Sequence, residues 1–224
     1  IFLQELARSN TSKIVKLYFE EKIKLLNNLN LDAITQLAET VIDVYNNQGH
    51  VFTLGNGGGA SVANGFAVDL RTHPFVSEDK TKSSSKNRFV VVDLCESAGM
   101  ITGISNDIGS DSIFAEQIKC WVNNKDSLKR LLIAFSGSGN SRNVIEAINF
   151  SKKLGFVTSC ISGRGGGMAS KIVDIPIIIP GDSNFPGQTG KNNNNFHIED
   201  TQVSVSHIIV GLLKMHVENS EFKQ

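Results

Sequence analysis

The sequence has no excess of charge of either sign, and it is long enough to fold without covalent cross-links. Lys plus Arg and Asp plus Glu each number 22 among 224 residues, so the formal net charge is zero. This balance argues against a broad electrostatic surface for nucleic acid or anionic lipid. A chain of this length buries most of its apolar surface on folding, without a metal or disulfide staple. We therefore expect one soluble domain and no nucleic-acid partner.

Cysteine is scarce, and long apolar runs are absent. Cys95, Cys120 and Cys160 each have an apolar neighbour, and none belongs to a CxxC pair. This pattern predicts buried, reduced thiols in an intracellular protein. No apolar run approaches the roughly 18 to 20 residues of a membrane span, and the first residues lack the basic start and apolar core of a signal peptide. We expect a cytoplasmic protein with no membrane partner.

The order of apolar segments predicts an α/β fold. An apolar face at helical spacing (Val15, Phe19, Ile23 and Leu26) and a segment from Leu31 to about Asn46 predict two N-terminal helices. Five short apolar runs follow, at His50–Leu54, Arg88–Leu94, Leu131–Phe135, Val157–Ile161 and Asp174–Ile179. Most precede a helix-like segment, and they are continuous rather than alternating, as in strands buried on both faces. The prediction is a three-layer αβα sandwich with a five-stranded parallel sheet, preceded by a helical pair.

Two polar segments, at 73–87 and 181–195, exceed ordinary connection lengths. Each is interpreted as either a covering of the active site or a disordered insertion. The second contains the asparagine run 192–195. A helix is predicted from about Glu199 to Val217, and Trp121 is expected in the core.

The first motif that carries chemistry is the glycine-rich segment Gly55 to Ala60, between the first strand and a helix. Glycines let the backbone turn sharply and approach a ligand, and a helix N-terminus favours an anion. The segment is not a dinucleotide fingerprint, because Glu78 and Asp79 fall in a polar loop rather than at a strand end. It also lacks the Lys-Ser/Thr pair of a P-loop. A plain tight turn is the alternative.

The second motif is FSGSGNS, which follows the third strand. Ser136, Ser138 and Ser141, with free backbone N–H groups at a helix start, predict a phosphate cradle that contains no basic residue. The alternative is a helix N-cap in a serine-rich loop. Both motifs fall at the carboxyl ends of parallel strands, where open α/β sheets bind ligands.

With ISNDIG after the second strand, these motifs resemble sugar isomerase (SIS) domains, and among them the bacterial phosphoheptose isomerases, which act on sedoheptulose 7-phosphate. The resemblance implies a flavodoxin-like SIS domain over residues 1–224, with 1–48 as the helical pair. It implies substrate contacts at Asn56, Gly57, Gly58, Asn106, Asp107 and Glu199. It implies phosphate contacts at Ser136, Gly137, Ser138 and Ser141.

The resemblance also implies aldose–ketose isomerisation through an enediol, with Asp69 and His207 as the acid–base pair. Asp69 stands where the family has Glu, so its reach is one methylene shorter. Two alternatives remain open: Asp69 as an exposed helix residue and His207 as a core histidine.

Many family members bind zinc through four ligands, and this chain departs from that set at three positions. Gly65 replaces a His, Asp69 a Glu and Glu199 a Gln, whereas His207 is unchanged. The remaining carboxylates and His207 form a set for a weakly held divalent ion, and His197 is a further candidate ligand. Metal-free isomerisation is equally allowed by the chemistry.

The resulting hypothesis is a phosphosugar aldose–ketose isomerase whose partner molecule is a heptose 7-phosphate. The two N-terminal helices are expected to pack against another subunit, and the family resemblance implies a homotetramer with sites built from more than one chain. The alternative is a non-catalytic sugar-phosphate-binding or protein-interaction module of the replication-initiator-associating type. The altered metal positions favour that module, whereas the serine loop and His207 favour the enzyme.

Overall fold

The computed structural model describes residues 2–122, 127–188 and 194–221. The strands are β1 His50–Gly55, β2 Val90–Asp93, β3 Arg130–Ser136, β4 Val157–Ser162 and β5 Ile175–Ile178. The helices are α1 Phe2–Leu26, α2 Leu31–Asn46, α3 Gly58–Thr72, α4 Ala98–Asp107, α5 Ile113–Lys119, α6 Arg142–Lys153, α7 Ala169–Ile172 and α8 Asn195–Glu221.

The five strands form one parallel sheet in the order β2-β1-β3-β4-β5, which confirms the predicted flavodoxin-like α/β fold. Helices α2, α3 and α8 cover one face, and α5, α6 and α7 cover the other. Every residue of β3 is buried, because this central strand is covered on both faces. The carboxyl ends of β1, β3 and β4 therefore open side by side at one edge.

The two N-terminal helices differ in what their apolar faces contact. Asn30 caps α2 by accepting a hydrogen bond from the Ala33 backbone N–H at 3.2 Å, and Leu37 and Val41 are fully buried in the core. The apolar face of α2 thus packs within its own chain, and the packing of the helical pair against another subunit stays a prediction. The predicted apolar face of α1 remains exposed, with Phe19 61% exposed, whereas Leu25 on the same helix is buried in the core.

Helix α1 is anchored by a polar cluster near its carboxyl end. His197 is buried and places Nε2 3.0 Å from Glu21 Oε2, and its ring lies 4.2 Å from that of Tyr18. The Glu21 carboxylate also accepts hydrogen bonds from the Ser183 hydroxyl and the Asn184 backbone N–H, each at 2.7 Å. Burial raises the pKa of Glu21, but these hydrogen bonds and His197 outweigh burial and leave the pKa below its usual value.

Several smaller expectations need correction. The three cysteines are free, yet only Cys160 is buried, since Cys95 is half-buried and Cys120 is exposed. Trp121 is also exposed rather than in the core. The polar segment 73–87 contains a 3-10 turn and one antiparallel bridge between Val76 and Ser83.

Helix α8 begins four residues earlier than predicted, at Asn195, and residues 189–193, with part of the asparagine run, lie outside the described residues. In the described ranges, no helix combines the length and apolarity needed to cross a bilayer.

Candidate active site

The glycine-rich loop between β1 and α3 is shaped for close approach of a carboxylate. Gly57 has φ +55°, a left-handed conformation that favours glycine, and it precedes the first turn of α3. A Cβ at Gly58 would lie 2.3 Å from Oε1 of Glu199, so a larger residue would displace that side chain. The turn itself requires glycine only at position 57. At position 58 the absence of a side chain leaves room for Glu199, and a plain tight turn would not need that room.

The serine loop between β3 and α6 leaves hydroxyls free to bind an anion. Ser136 Oγ accepts a hydrogen bond from the Gly139 backbone N–H at 3.1 Å, and Ser138 Oγ accepts one from Asn140 N–H at 3.2 Å. Both hydroxyls keep their own proton to donate. Ser141 is the N-cap residue of α6, but its side chain makes no capping hydrogen bond. The loop is therefore more than a capped helix start.

A third loop, residues 163–167 after β4, packs backbone to backbone on the serine loop. Gly163 N–H donates to the Gly137 carbonyl at 3.2 Å, and Ala169 N–H donates to the Gly139 carbonyl at 2.9 Å. A Cβ at Gly139 would lie 2.0 Å from the Gly166 carbonyl oxygen. The sequence analysis did not identify this loop as part of the site. The run of four glycines around Arg164, at the end of a predicted strand, is the signal that marks it.

The first turns of α8 cross all three loops. Asn195 accepts a hydrogen bond at Oδ1 from Arg164 Nη2 at 2.7 Å, and the same oxygen lies 3.3 Å from a Cβ built on Gly137. One turn later, Glu199 lies against Gly58 of the first loop. The side chain of Ile198 packs on Gly163 of the third loop. One helix therefore fixes the relative positions of three loops.

The glycine-rich loop is also tied to the first turn of α6, which directly follows the serine loop. Asn56 and Asn143 exchange two side-chain hydrogen bonds, of 2.8 and 3.0 Å between the amide nitrogen of one and the amide oxygen of the other. Asn143 Oδ1 additionally accepts from the Val144 backbone N–H at 2.9 Å. Asn56 thus lies in the predicted site and is held there by the first turn of α6.

Asp69 and His207 meet where α3 and α8 run side by side. His207 Nε2 lies 3.7 Å from Asp69 Oδ2. The side chain of His207 is 66% exposed, and that of Asp69 is 38% exposed. The alternative of a core histidine is therefore wrong. Gly65, one turn before Asp69, is surrounded by open space, since a Cβ there would have no neighbour within 4 Å. A solvent-facing acid–base pair beside an open strip of helix can reach a bound molecule.

This arrangement has counterparts among known proteins. A family model of the SIS domain matches residues 17–163, which include the glycine-rich and serine loops. The chain belongs to the SIS domain family. Phosphoheptose isomerase of Helicobacter pylori strain P12 is 30% identical over 185 residues, which cover 83% of this chain and 84% of the relative. The enzyme of the same name from Campylobacter concisus strain 13826 is 34% identical over 161 residues, covering 72% and 76%.

Solved structures agree on the fold of this SIS domain. A phosphoheptose isomerase from Francisella tularensis superimposes with a TM-score of 0.73 and 21% identity, covering 94% of this chain and 98% of that one. A phosphoheptose isomerase from Neisseria gonorrhoeae gives a TM-score of 0.66 and 22% identity at the same coverage. The likeness extends over the helical pair and α8 as well as the sheet.

Two predicted site residues of the SIS domain lie apart from these contacts. Asn106 and Asp107 end α4, and Asn106 Nδ2 donates to Asp107 Oδ1 at 2.8 Å. Both are exposed, and the hydrogen bonds found for them in the described ranges do not join them to either loop. Their assignment to the substrate site stays a prediction.

The SIS domain does not assemble the four-ligand zinc set. The described ranges contain no group of three or more His, Cys, Asp or Glu side chains placed to hold a metal ion. Asp69 and His207 meet, but the Glu199 carboxylate lies against Gly58 of the glycine-rich loop. Gly65 has no donor atom, and His197 is buried against Glu21. The residues present therefore do not fit that zinc site.

Proposed function

We propose that this chain is a phosphosugar aldose–ketose isomerase of the sedoheptulose 7-phosphate type, acting through an enediol. The observation that carries the proposal is the approach of Asp69 and His207 to 3.7 Å on α3, which follows the glycine-rich loop, and α8, whose first turns contact all three loops. A binding protein needs the loops, whereas a paired carboxylate and imidazole facing solvent suits proton transfer. The curated relatives that carry the name phosphoheptose isomerase support the same substrate class.

The loops hold the phosphate in this proposal. The hydroxyls of Ser138 and Ser141 donate to its oxygens, and the N-terminus of α6 adds the favourable end of its helix dipole. Glu199, close to Gly58, meets hydroxyl groups of the sugar. The carbon chain then runs along the strip between α3 and α8 towards Asp69 and His207.

Isomerisation moves two protons, and the pair is assigned to both. A proton leaves the carbon next to the carbonyl as the carbonyl oxygen is protonated, which gives the enediol. A proton then returns to the former carbonyl carbon as the neighbouring hydroxyl is deprotonated, so nothing is consumed. An imidazole both donates and accepts protons near neutral pH, and a carboxylate is a competent base. No step is routed through a metal ion.

The proposal includes assembly as a homotetramer of single SIS domains in the cytoplasm. Exposed apolar residues on α1 (Val15, Phe19 and Ile23) and on α8 (Ile208 and Met215) support burial against other copies of the chain. The free thiols support a reducing compartment. Multi-angle light scattering tests the assembly, and a monomeric mass would contradict it.

A non-catalytic phosphosugar-binding module is the second candidate. Gly65 and the short Asp69 favour it, because both are departures at positions where the family places catalytic or metal-binding groups.

Incubation of the protein with sedoheptulose 7-phosphate, with and without a chelator, separates the two candidates. We expect an aldose product in both arms. Binding of the sugar phosphate without any product, even with added zinc, would establish the module instead.

A further inference from the structure

The structure places the guanidinium of Arg164 beside the serine loop. The sequence analysis predicts that this loop binds phosphate without a basic residue. Arg164 belongs to the loop after β4, and its guanidinium donates to Asn195 Oδ1 at 2.7 Å. That oxygen lies 3.3 Å from a Cβ built on Gly137 in the serine loop. The backbone of the preceding residue, Gly163, also donates to the Gly137 carbonyl. Arg164 is therefore held at the rim of the serine loop by both its side chain and its backbone.

The backbone at Arg164 is one that glycine would adopt more easily. Its φ is +50°, and Gly165, Gly166 and Gly167, which follow, have φ of +76°, +87° and +58°. A non-glycine residue in this region is strained, and such residues cluster at functional sites. Glycine would suit this turn better than arginine. The presence of Arg164 among four glycines therefore indicates that its side chain has a role of its own.

The charge of Arg164 is not neutralised by an acidic side chain of the described residues. Its side chain is exposed, and within the described ranges no carboxylate lies at ion-pair distance from it. One of its five N–H groups binds Asn195, so the planar fork retains donors for an oxyanion. Asn195 orients this fork at the rim of the loop.

We propose that Arg164 is a specificity-determining residue that binds the phosphate of the substrate and selects phosphorylated over unphosphorylated sugars. The proposal rests on the proposed function, since it takes the serine loop as the phosphate site. The hydroxyls and amides of that loop are neutral, so they stabilise a dianion less than a guanidinium does. Arg164 supplies the missing charge from the loop that follows the adjacent strand, β4.

Arg164→Gly is the sharpest variant, because glycine accepts the left-handed backbone and only the guanidinium is lost. We expect KM for sedoheptulose 7-phosphate, and the inhibition constant of inorganic phosphate, to rise about ten- to hundredfold, as for loss of a hydrogen bond to an ionised group. The value of kcat and the affinity for unphosphorylated sedoheptulose should stay unchanged. Arg164→Lys, which keeps a charge on the same backbone, should restore part of the loss.

Gln48→Gly is the matched control, because Gln48 also has a left-handed backbone, with φ +51°, in the turn before β1 and away from the three loops. It should leave KM unchanged while relieving the same kind of strain. Unchanged KM and phosphate inhibition in Arg164→Gly would overturn the role of Arg164 while leaving the isomerase intact. Equal losses for phosphorylated and unphosphorylated sugar would overturn it too. If the wild-type protein binds the sugar phosphate without turnover, the dissociation constants of wild type and Arg164→Gly replace KM as the test. If the wild-type protein binds no sugar phosphate, both proposals are overturned.

Discussion

The two halves of the site are built in different ways. The half proposed to bind phosphate, here called the phosphate half, consists of three loops whose backbones touch, with glycines at positions where a Cβ would fall 2.0 to 2.7 Å from another residue's atoms (Gly58, Gly59, Gly139 and Gly167). The half proposed to transfer protons, here called the acid–base half, consists of two exposed side chains, Asp69 and His207, beside the open space at Gly65.

This difference separates what the backbone determines from what single side chains determine. In the phosphate half, a substitution must move a neighbouring loop, so its geometry is hard to change. In the acid–base half, a substitution meets solvent and costs little stability. The departures from the family's zinc ligands, at positions 65, 69 and 199, all fall on α3 and α8, outside the glycine-rich and serine loops.

The largest effect is expected at the acid–base pair. Asp69→Asn and His207→Ala should each lower kcat by about two to four orders of magnitude, because each removes a proton-transfer group. Affinity for the sugar phosphate should persist, since the loops hold the phosphate. Steady-state kinetics and calorimetric titration measure the two quantities. A parallel loss of affinity would mean that the halves are not separable.

The second prediction compares two glycine substitutions. Gly139→Ala should abolish phosphosugar binding and lower the free energy of unfolding by about 1–3 kcal/mol, because φ is +64° and the Cβ would lie 2.0 Å from the Gly166 carbonyl oxygen. Gly65→Ala should instead raise stability by about 0.5–1 kcal/mol, since alanine loses less backbone entropy in a helix and its Cβ would have no neighbour within 4 Å. Urea unfolding of both variants provides the test. Similar changes in the free energy of unfolding for Gly139→Ala and Gly65→Ala would contradict the proposed difference between the two halves.

The third prediction tests the hydroxyls of the serine loop. Ser138→Ala and Ser141→Ala should each weaken sugar-phosphate binding about ten- to hundredfold, through loss of a hydrogen bond to an ionised group. The melting temperature without ligand should change far less, because Ser141 makes no capping hydrogen bond. Wild-type affinity in both variants would show that the phosphate lies elsewhere.

The smallest effect is expected from lengthening the acid. Asp69→Glu restores the reach that the family resemblance implies and should raise kcat by less than about tenfold, because proton transfer depends on small changes in position. Asp69→Gln has the same length without the charge and serves as control. No gain in Asp69→Glu would indicate that the backbone of α3 already lies closer to the substrate.

The sheet could be predicted from the sequence because its strands are short, continuous apolar runs bounded by Gly, Ser or Pro. Periodicity predicted α2 as a helix, but it could not tell whether the sheet or another subunit covers the apolar face of that helix. Trp121 shows the same limit, since an apolar neighbourhood in sequence does not prevent exposure at the end of α5.

The site was predictable where it depends on consecutive residues, as in the glycine-rich and serine loops. Arg164 and Asn195 were missed because their relevance comes from contact between the loop after β4 and the start of α8, and the two residues are 31 positions apart in sequence. The burial of His197 against Glu21 was missed for the same reason, and it removes a candidate metal ligand.

The register of α8 restricts how this chain can change in length during evolution. Asn195, Glu199 and His207 are separated by four and eight residues, so they lie along one side of a single helix. One residue inserted between Glu199 and His207 would turn the histidine about 100° around the axis, away from Asp69, while leaving the loops intact. Insertions and deletions are therefore expected to accumulate before Asn195, where they leave the spacing within the helix unchanged.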